Sequence, residues 1–193
     1  MPDREVQTIQ DLIYYQYAKI IVKSAMKTGD NETAKKNCYG MIKTTFRNLR
    51  DGKISWSDIL REDLQFIESE KICIYCGSKE NITKDHIIPK SLLINDRCPE
   101  CDKIQGIHNI IWACKECNSE KHTKGLYTFF SERNPGKKKS DLLPSLLEKK
   151  YLKLMYCCHK CAGTLDSKDL NNDGIIDVLD IDAILTKFPC STK

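Results

Sequence analysis

Apolar residues recur at helical spacing through the first third of the chain. Val6, Ile9, Ile13, Tyr14, Tyr17, Ile20, Ile21 and Met26 predict a helix over residues 3–28, ended by "TGDN" at Gly29. Asn31 is placed to cap a second helix running to about Arg50, with Met41, Ile42 and Phe46 inward. "RDGK" reads as a turn. Ser55 or Ser57 can then cap a third helix through Leu60, Leu64 and Ile67. Apolar stripes of this kind are usually core, so residues 1–70 are expected to form a packing layer, ahead of a DNA-reading layer or a dimer surface.

From Lys71 the texture changes to short β-type runs punctuated by cysteine pairs. Residues 82–88 and 109–114 ("NIIWAC") predict two strands, and "KECNSEKHTKGLYTFFSER" predicts a helix from about Lys115. The loop between the strands, residues 89–108, is long and carries its own C-x2-C, which points to a functional or stapled segment. "NPGKKKS" is a linker, residues 141–157 form a further amphipathic helix, and an acidic tail follows. The expected organisation is an α+β chain in four parts: residues 1–70, 71–133, 134–162 and 163–193.

Charge sharpens this division. The chain carries +4 overall, but from Gly163 onward six Asp face three Lys, which leaves +7 on residues 1–162. A basic body suits a polyanionic partner; extra lysines that only keep the protein soluble are the plainer reading. The first ten residues lack the apolar stretch of a signal peptide, and no apolar run reaches the ~18 residues of a membrane span. An intracellular, cytoplasmic protein without a membrane partner is expected.

Eleven cysteines change the picture more. Eight fall in four C-x2-C pairs: Cys73/Cys76, Cys98/Cys101, Cys114/Cys117 and Cys158/Cys161, leaving Cys38, Cys157 and Cys190 over. A C-x2-C turn supplies two thiolates, and two such turns complete a tetrahedral zinc site. Cys73, Cys76, Cys114 and Cys117 flank the strand–loop–strand and would pin its base. Cys98, Cys101, Cys158 and Cys161 are candidates for a second zinc, with free or redox-active thiols as the equal alternative and His159 as a substitute ligand. Pairing of Cys76 with Cys98 on ribbon-like spacing also stays open.

Between and after the first pairs lie "DHIIPKS" and "NIIWACKECNSEK". In the order "CIYC", "DHIIPKS", "NIIWACKECNSEK", residues 71–125 resemble the HNH nucleases, the ββα-metal endonucleases. The resemblance implies a zinc-stabilised ββα-metal core and hydrolysis of phosphodiester bonds in DNA, with the double-stranded form as the expected partner. It implies His86 as general base, Asp85 and Asn118 as ligands of Mg²⁺ or Mn²⁺, and Asn109 as a brace that orients His86. Lys121 and His122, one turn beyond Asn118, would meet phosphate oxygens. The glycine pair common in the family after the D-H segment is replaced here by "SLLINDRCPECDKIQG".

The tail holds "DLNNDGIIDVLD". Numbered as a twelve-residue calcium loop, it puts Asp169 at 1, Asn171 at 3, Asp173 at 5, Gly174 at 6, Ile175 at 7, Asp177 at 9 and Asp180 at 12, with the Ile175 carbonyl as a ligand. It resembles a single dockerin-type, EF-hand-like repeat, which implies Ca²⁺ binding and a protein partner at the tail; a solvated Asp-rich turn is the plain alternative. Two other functions stand beside the nuclease: a zinc-stabilised nucleic-acid-binding module without catalysis, and a calcium-dependent interaction protein.

Overall fold

The computed structural model describes residues 3–26, 32–56, 63, 70–92, 104 and 106–187. These hold six α-helices and one two-stranded antiparallel sheet, a mostly helical α+β fold. The helices are α1 (Ile9–Ala25), α2 (Glu32–Arg50), α3 (Lys115–Lys121), α4 (Leu126–Arg133), α5 (Ser145–Ala162) and α6 (Val178–Lys187); the strands are β1 (Ile82–His86) and β2 (Ile110–Cys114). Most of the expected third helix, together with Cys98, Cys101 and Cys190, lies outside the described residues. No described helix is long and apolar enough to cross a membrane.

Helix α1 starts six residues later than its apolar repeat suggests. Thr8 accepts from Asp11 N as the N-cap. Two further N–H groups of its first turn, on Ile9 and Gln10, are taken by the carbonyls of Ser167 and Leu165. Ile9, Leu12, Ile13, Tyr17 and Ile20 are buried, and the helix packs on α2 and α5. Trp56 sets its ring edge-on against Tyr14, Tyr17 and Tyr156.

One hydrophobic cluster runs through all four expected parts of the chain. It joins Ile13 and Phe46 to Ile87, Ile88, Leu126 and Phe129, then to Leu147, Leu152 and Met155, and on to Val178, Ile181 and Ile184 of the tail. Helix α6 is fixed there by polar contacts as well. Tyr151 donates to Asp182 Oδ1 (2.6 Å), and Thr128 N donates to Oδ2 (2.7 Å). A Cβ on Gly125 would stand 2.3 Å from the Asp182 carboxyl carbon, so the α4 N-terminus closes on this carboxylate only with glycine there. Burial pushes Asp182 up to about 6 and Glu148, which accepts from Tyr127 (2.8 Å), up to about 7.

The helix expected to run on from Lys115 is two helices. His122, at φ +49°, stops α3, and Gly125 begins α4. A histidine in that backbone region costs on the order of 1–3 kcal/mol, and such positions cluster at functional sites. The strands are also shorter than the apolar runs, because Ile87 and Ile88 turn into the core after β1 ends at His86.

A two-stranded ribbon has two edges, and each must be covered. Ile87 N donates to Asn109 O (2.9 Å), so the alternate pairs His86–Ile110 and Lys84–Trp112 turn their carbonyls outward. Each of these carbonyls meets a donor from outside the ribbon. Lys84 O takes Asn118 Nδ2 (3.3 Å) and His86 O takes Lys121 Nζ (2.8 Å). Trp112 O takes Ile74 N (3.0 Å) and Ile110 O takes Lys150 Nζ (3.1 Å). Lys150 also pairs with the buried Asp63 at 2.7 Å, and His108 meets the other oxygen of that carboxylate.

Candidate active site and zinc centre

The sulfurs of Cys73, Cys76, Cys114 and Cys117 all lie within 4.8 Å of one another, and Cys76 and Cys114 are 3.7 Å apart. A tetrahedron with ~2.3 Å zinc–sulfur bonds has edges near ~3.8 Å, so the donor set and its size fit zinc. The first pair sits on a tight turn: Cys73 N donates to Ser78 O, Gly77 N donates to Cys73 O, and Gly77 adopts φ +79°. The second pair spans the end of β2 and the start of α3, where Cys114 is the N-cap and accepts from Cys117 N (3.4 Å).

The sulfurs sit in different electrostatic settings. Burial pushes the Cys117 thiol up to about 12, although Arg133 donates to its sulfur at 3.0 Å. Burial also opposes ionisation of Cys73, but backbone N–H groups of Cys114, Cys76 and Tyr75 outweigh it and bring that thiol down to about 7. A divalent ion held by all four sulfurs would favour the thiolate at each of them.

Beside this cluster, on the outer side of β1 and α3, lies an open cleft of about 470 Å³. Thr83, Asp85 and His86 line one wall, Pro89, Lys90 and Ser91 the next, and Lys115, Asn118, Ser119, His122 and Thr123 the helical side. The antiparallel ribbon and the helix that follows it thus bring Asp85, His86 and Asn118 to one surface, although Asn118 is 32 positions from His86 in the chain.

Each polar group has a defined setting. Asp85 is buried; its Oδ2 accepts from Tyr75 OH (2.6 Å) and lies 3.5 Å from Lys121 Nζ. Its Oδ1 carries no hydrogen bond among the described residues. Asn118 uses Nδ2 on Thr83 Oγ1 (3.2 Å) and on Lys84 O, which leaves its carbonyl oxygen as the available acceptor. Asn109 is 1 % exposed; its side chain exchanges two hydrogen bonds with the Ile88 backbone (2.7 and 2.8 Å). It therefore braces the chain just after His86, and among the described residues it does not touch the imidazole.

Residues 73–124 match the HNH endonuclease family model. The matched segment is a little over a quarter of the chain and takes in the first cysteine pair, both strands and α3. No curated protein and no solved structure matches the chain. The HNH segment points to a nuclease or a nucleic-acid-binding module, and HNH nucleases use divalent metals.

Within the HNH segment one expected contact is corrected. Lys121 is fully buried, with its ammonium on His86 O and near Asp85, so it does not reach phosphate. The spacing carries the signal: Lys121 is four residues after Cys117, on the same inward face of α3. His122 is exposed on the cleft. The exposed cations that do line the cleft are Lys90 and Lys115, which carry no ion pair among the described residues. Tyr75, Lys150 and Asp63 escape the sequence reading; the clue for Tyr75 is an aromatic inside the zinc turn.

His159 does not serve as a metal ligand. It is 0 % exposed, Nδ1 meets Thr164 Oγ1 (2.8 Å) and Nε2 meets Ile181 O (3.1 Å), and burial holds it down to about 4. Cys158 and Cys161 stand on α5, and their proposed partners Cys98 and Cys101 lie outside the described residues. In the acidic loop Asp169 accepts from Asn172, Asp173 and Gly174 N–H, and Asp180 accepts from Leu170, Asn171 and Asp177 N–H. Asn172 and Gly174 both take positive φ in this turn. Among the described residues, the four-cysteine cluster is the one group of His, Cys, Asp and Glu whose ligand atoms converge in this way.

Proposed function

We propose that the chain is an HNH-type endonuclease that hydrolyses phosphodiester bonds in double-stranded DNA. The observation that carries this is the single cleft lined by His86, Asp85 and Asn118 inside the matched segment. His86 stands half-buried at the cleft and takes the proton of the attacking water. Asp85 through Oδ1 and Asn118 through its side-chain carbonyl hold a Mg²⁺ or Mn²⁺ ion, oxygen donors suited to a hard cation. When bound, that ion polarises the phosphate and stabilises charge on the leaving oxygen. Asn109 keeps the chain after His86 from shifting, and zinc on the four cysteines fixes the base of the ribbon.

Phosphate binding passes from the buried Lys121 to Lys90, Lys115 and His122 around the cleft. The test is supercoiled plasmid and linear duplex incubated with the zinc-loaded protein and Mg²⁺ or Mn²⁺. Cleavage is expected, and DNA left intact with every ion would sink the reading. Replacing Lys90 and Lys115 together with Glu should weaken DNA binding and lower the salt slope of the binding constant by about two, one for each phosphate no longer neutralised. An unchanged slope would show that the DNA lies elsewhere.

The loop at residues 169–180 is read as a calcium site formed by Asp169, Asn171, Asp173, the Ile175 carbonyl, Asp177 and Asp180. What supports it is the twelve-residue spacing with glycine at the sixth position in positive φ. Calcium at 100 times its dissociation constant should stabilise the protein by about 2.7 kcal/mol, and Asp173→Ala should remove that gain. A melting curve unmoved by calcium would leave the loop a hydrogen-bonded turn. A protein partner at this tail would have to use its outer surface, such as the half-exposed Ile175, since Val178, Ile181 and Ile184 are buried within the chain.

A further inference from the structure

The zinc turn and the cleft share one hydrogen bond. Tyr75 sits between Cys73 and Cys76, and its hydroxyl donates to Asp85 Oδ2 at 2.6 Å. The turn that carries it is held on both sides. Cys73 and Cys76 belong to the sulfur cluster, and Ile74 N is bonded to Trp112 O of β2. The ring is packed edge-on against Phe129 (5.1 Å) and Phe130 (6.0 Å) of α4. The hydroxyl therefore has little freedom to leave Asp85 while the turn is intact.

From this geometry we infer that Tyr75 is a positioning residue: it couples the zinc turn to the ion-holding carboxylate, so that zinc occupancy sets the affinity of the cleft for its divalent ion. The inference rests on the reading of Asp85 as an ion ligand. The hydroxyl occupies Oδ2 and fixes the carboxylate so that Oδ1 is the oxygen left for the cleft. Lys121 Nζ, 3.5 Å away, is the other donor near Oδ2. Lys121 is already paired with Oδ2; with the hydroxyl gone, its ammonium can shorten that ion pair and draw the carboxylate away from the orientation that offers Oδ1 to a divalent cation. Loss of the zinc turn would have the same effect, because the turn is what delivers Tyr75.

The test measures Mn²⁺ binding to the full zinc-loaded chain by electron paramagnetic resonance of the free ion, without reference to cleavage. Tyr75→Phe keeps the ring and removes the hydroxyl. Its Mn²⁺ dissociation constant should rise roughly 10- to 100-fold, the scale for losing an outer hydrogen-bond partner of a metal ligand, with zinc retained. Cleavage should be recovered at high Mn²⁺, shifting the ion midpoint more than the maximal rate. Phe130→Leu loosens the same ring packing but leaves the hydroxyl, and should leave Mn²⁺ affinity within about twofold. Asp85→Asn separates the two ideas. If it leaves Mn²⁺ binding intact, Asp85 is not an ion ligand and the underlying reading fails. If it abolishes binding while Tyr75→Phe changes affinity by less than about twofold, or no more than Phe130→Leu does, the coupling is overturned.

Discussion

His86→Ala is expected to lower DNA cleavage by roughly 10²- to 10⁴-fold, the range supplied by a general base, and to leave folding, zinc content and DNA binding nearly unchanged. The structure explains why these readouts separate. The part of His86 that the fold uses is its carbonyl, which caps Lys121, and alanine keeps that carbonyl. Its β1 pairing with Ile110 is also a backbone matter. The imidazole is half-buried at the cleft, and no hydrogen bond ties it down among the described residues. Truncating it should cost little stability, as for most substitutions away from a tight core. The four clustered sulfurs that fit zinc come from other positions. Plasmid nicking, zinc analysis and a thermal melt on the same preparation check all three parts. A variant that cleaves within a few-fold of wild type would show that another group activates the water. A variant that loses zinc or unfolds would show instead that the ring is structural.

The largest effect on the fold is expected from Cys114→Ser. Cys114 has three tasks: it is a sulfur of the cluster, the last residue of β2 and the N-cap of α3. The apolar group around it is small. Cys73, Ala113, Cys114 and Cys117, with Tyr75 and Ile82 against them, form a cluster separate from the main core. Ile87, Ile88 and Ile111 tie the ribbon to the main core, but the cysteine end rests on this small cluster, where a bound zinc would supply most of the cohesion. Structural zinc contributes on the order of 10 kcal/mol to small zinc-dependent domains. The variant should lose its zinc, expose residues 71–92 to protease and lose cleavage. Much of the helical signal should remain, because α1, α2 and α5 pack through Ile13, Tyr17, Phe46 and Tyr151, outside the cluster of Cys73, Cys76, Cys114 and Cys117. Chelating the zinc from the wild type should reproduce this pattern. Zinc retained at the wild-type level would mean that the ion is held by another pairing, Cys76 with Cys98 among them.

Much of the site can be read from the chain alone, for a local reason. A C-x2-C turn is a ligand pair whatever surrounds it, and Asp85-His86 and Asn118 keep fixed offsets from the two pairs. The helices at residues 9–25, 145–162 and 178–187 follow their own apolar periods. The features that differ depend on direction. Lys121 reads as a free cation in sequence, yet α3 must turn Cys117 inward, and Lys121 goes with it four residues on. Asn109 reads as a partner of the imidazole, yet both of its side-chain hydrogen bonds among the described residues go to the Ile88 backbone. The tail reads as an acidic appendage, yet α6 lies in the core with Asp182 against Gly125.

Which two cysteine pairs meet, and that Asp85, His86 and Asn118 line one cleft, was left to the fold; by itself, the sequence determined the elements with strong periodicity and the separate C-x2-C ligand pairs. These depend on spacings of two to four residues, which the backbone turns into geometry without help. Tertiary structure alone decided that Tyr75 holds Asp85, that Lys121 and Lys150 cap the two ribbon edges, and that Asp63 and His108 meet at one carboxylate. Their partners lie 10 to 45 positions away in the chain. At such separations the pairing is set by which faces the core buries and by the need of each buried charge and outward carbonyl for a partner.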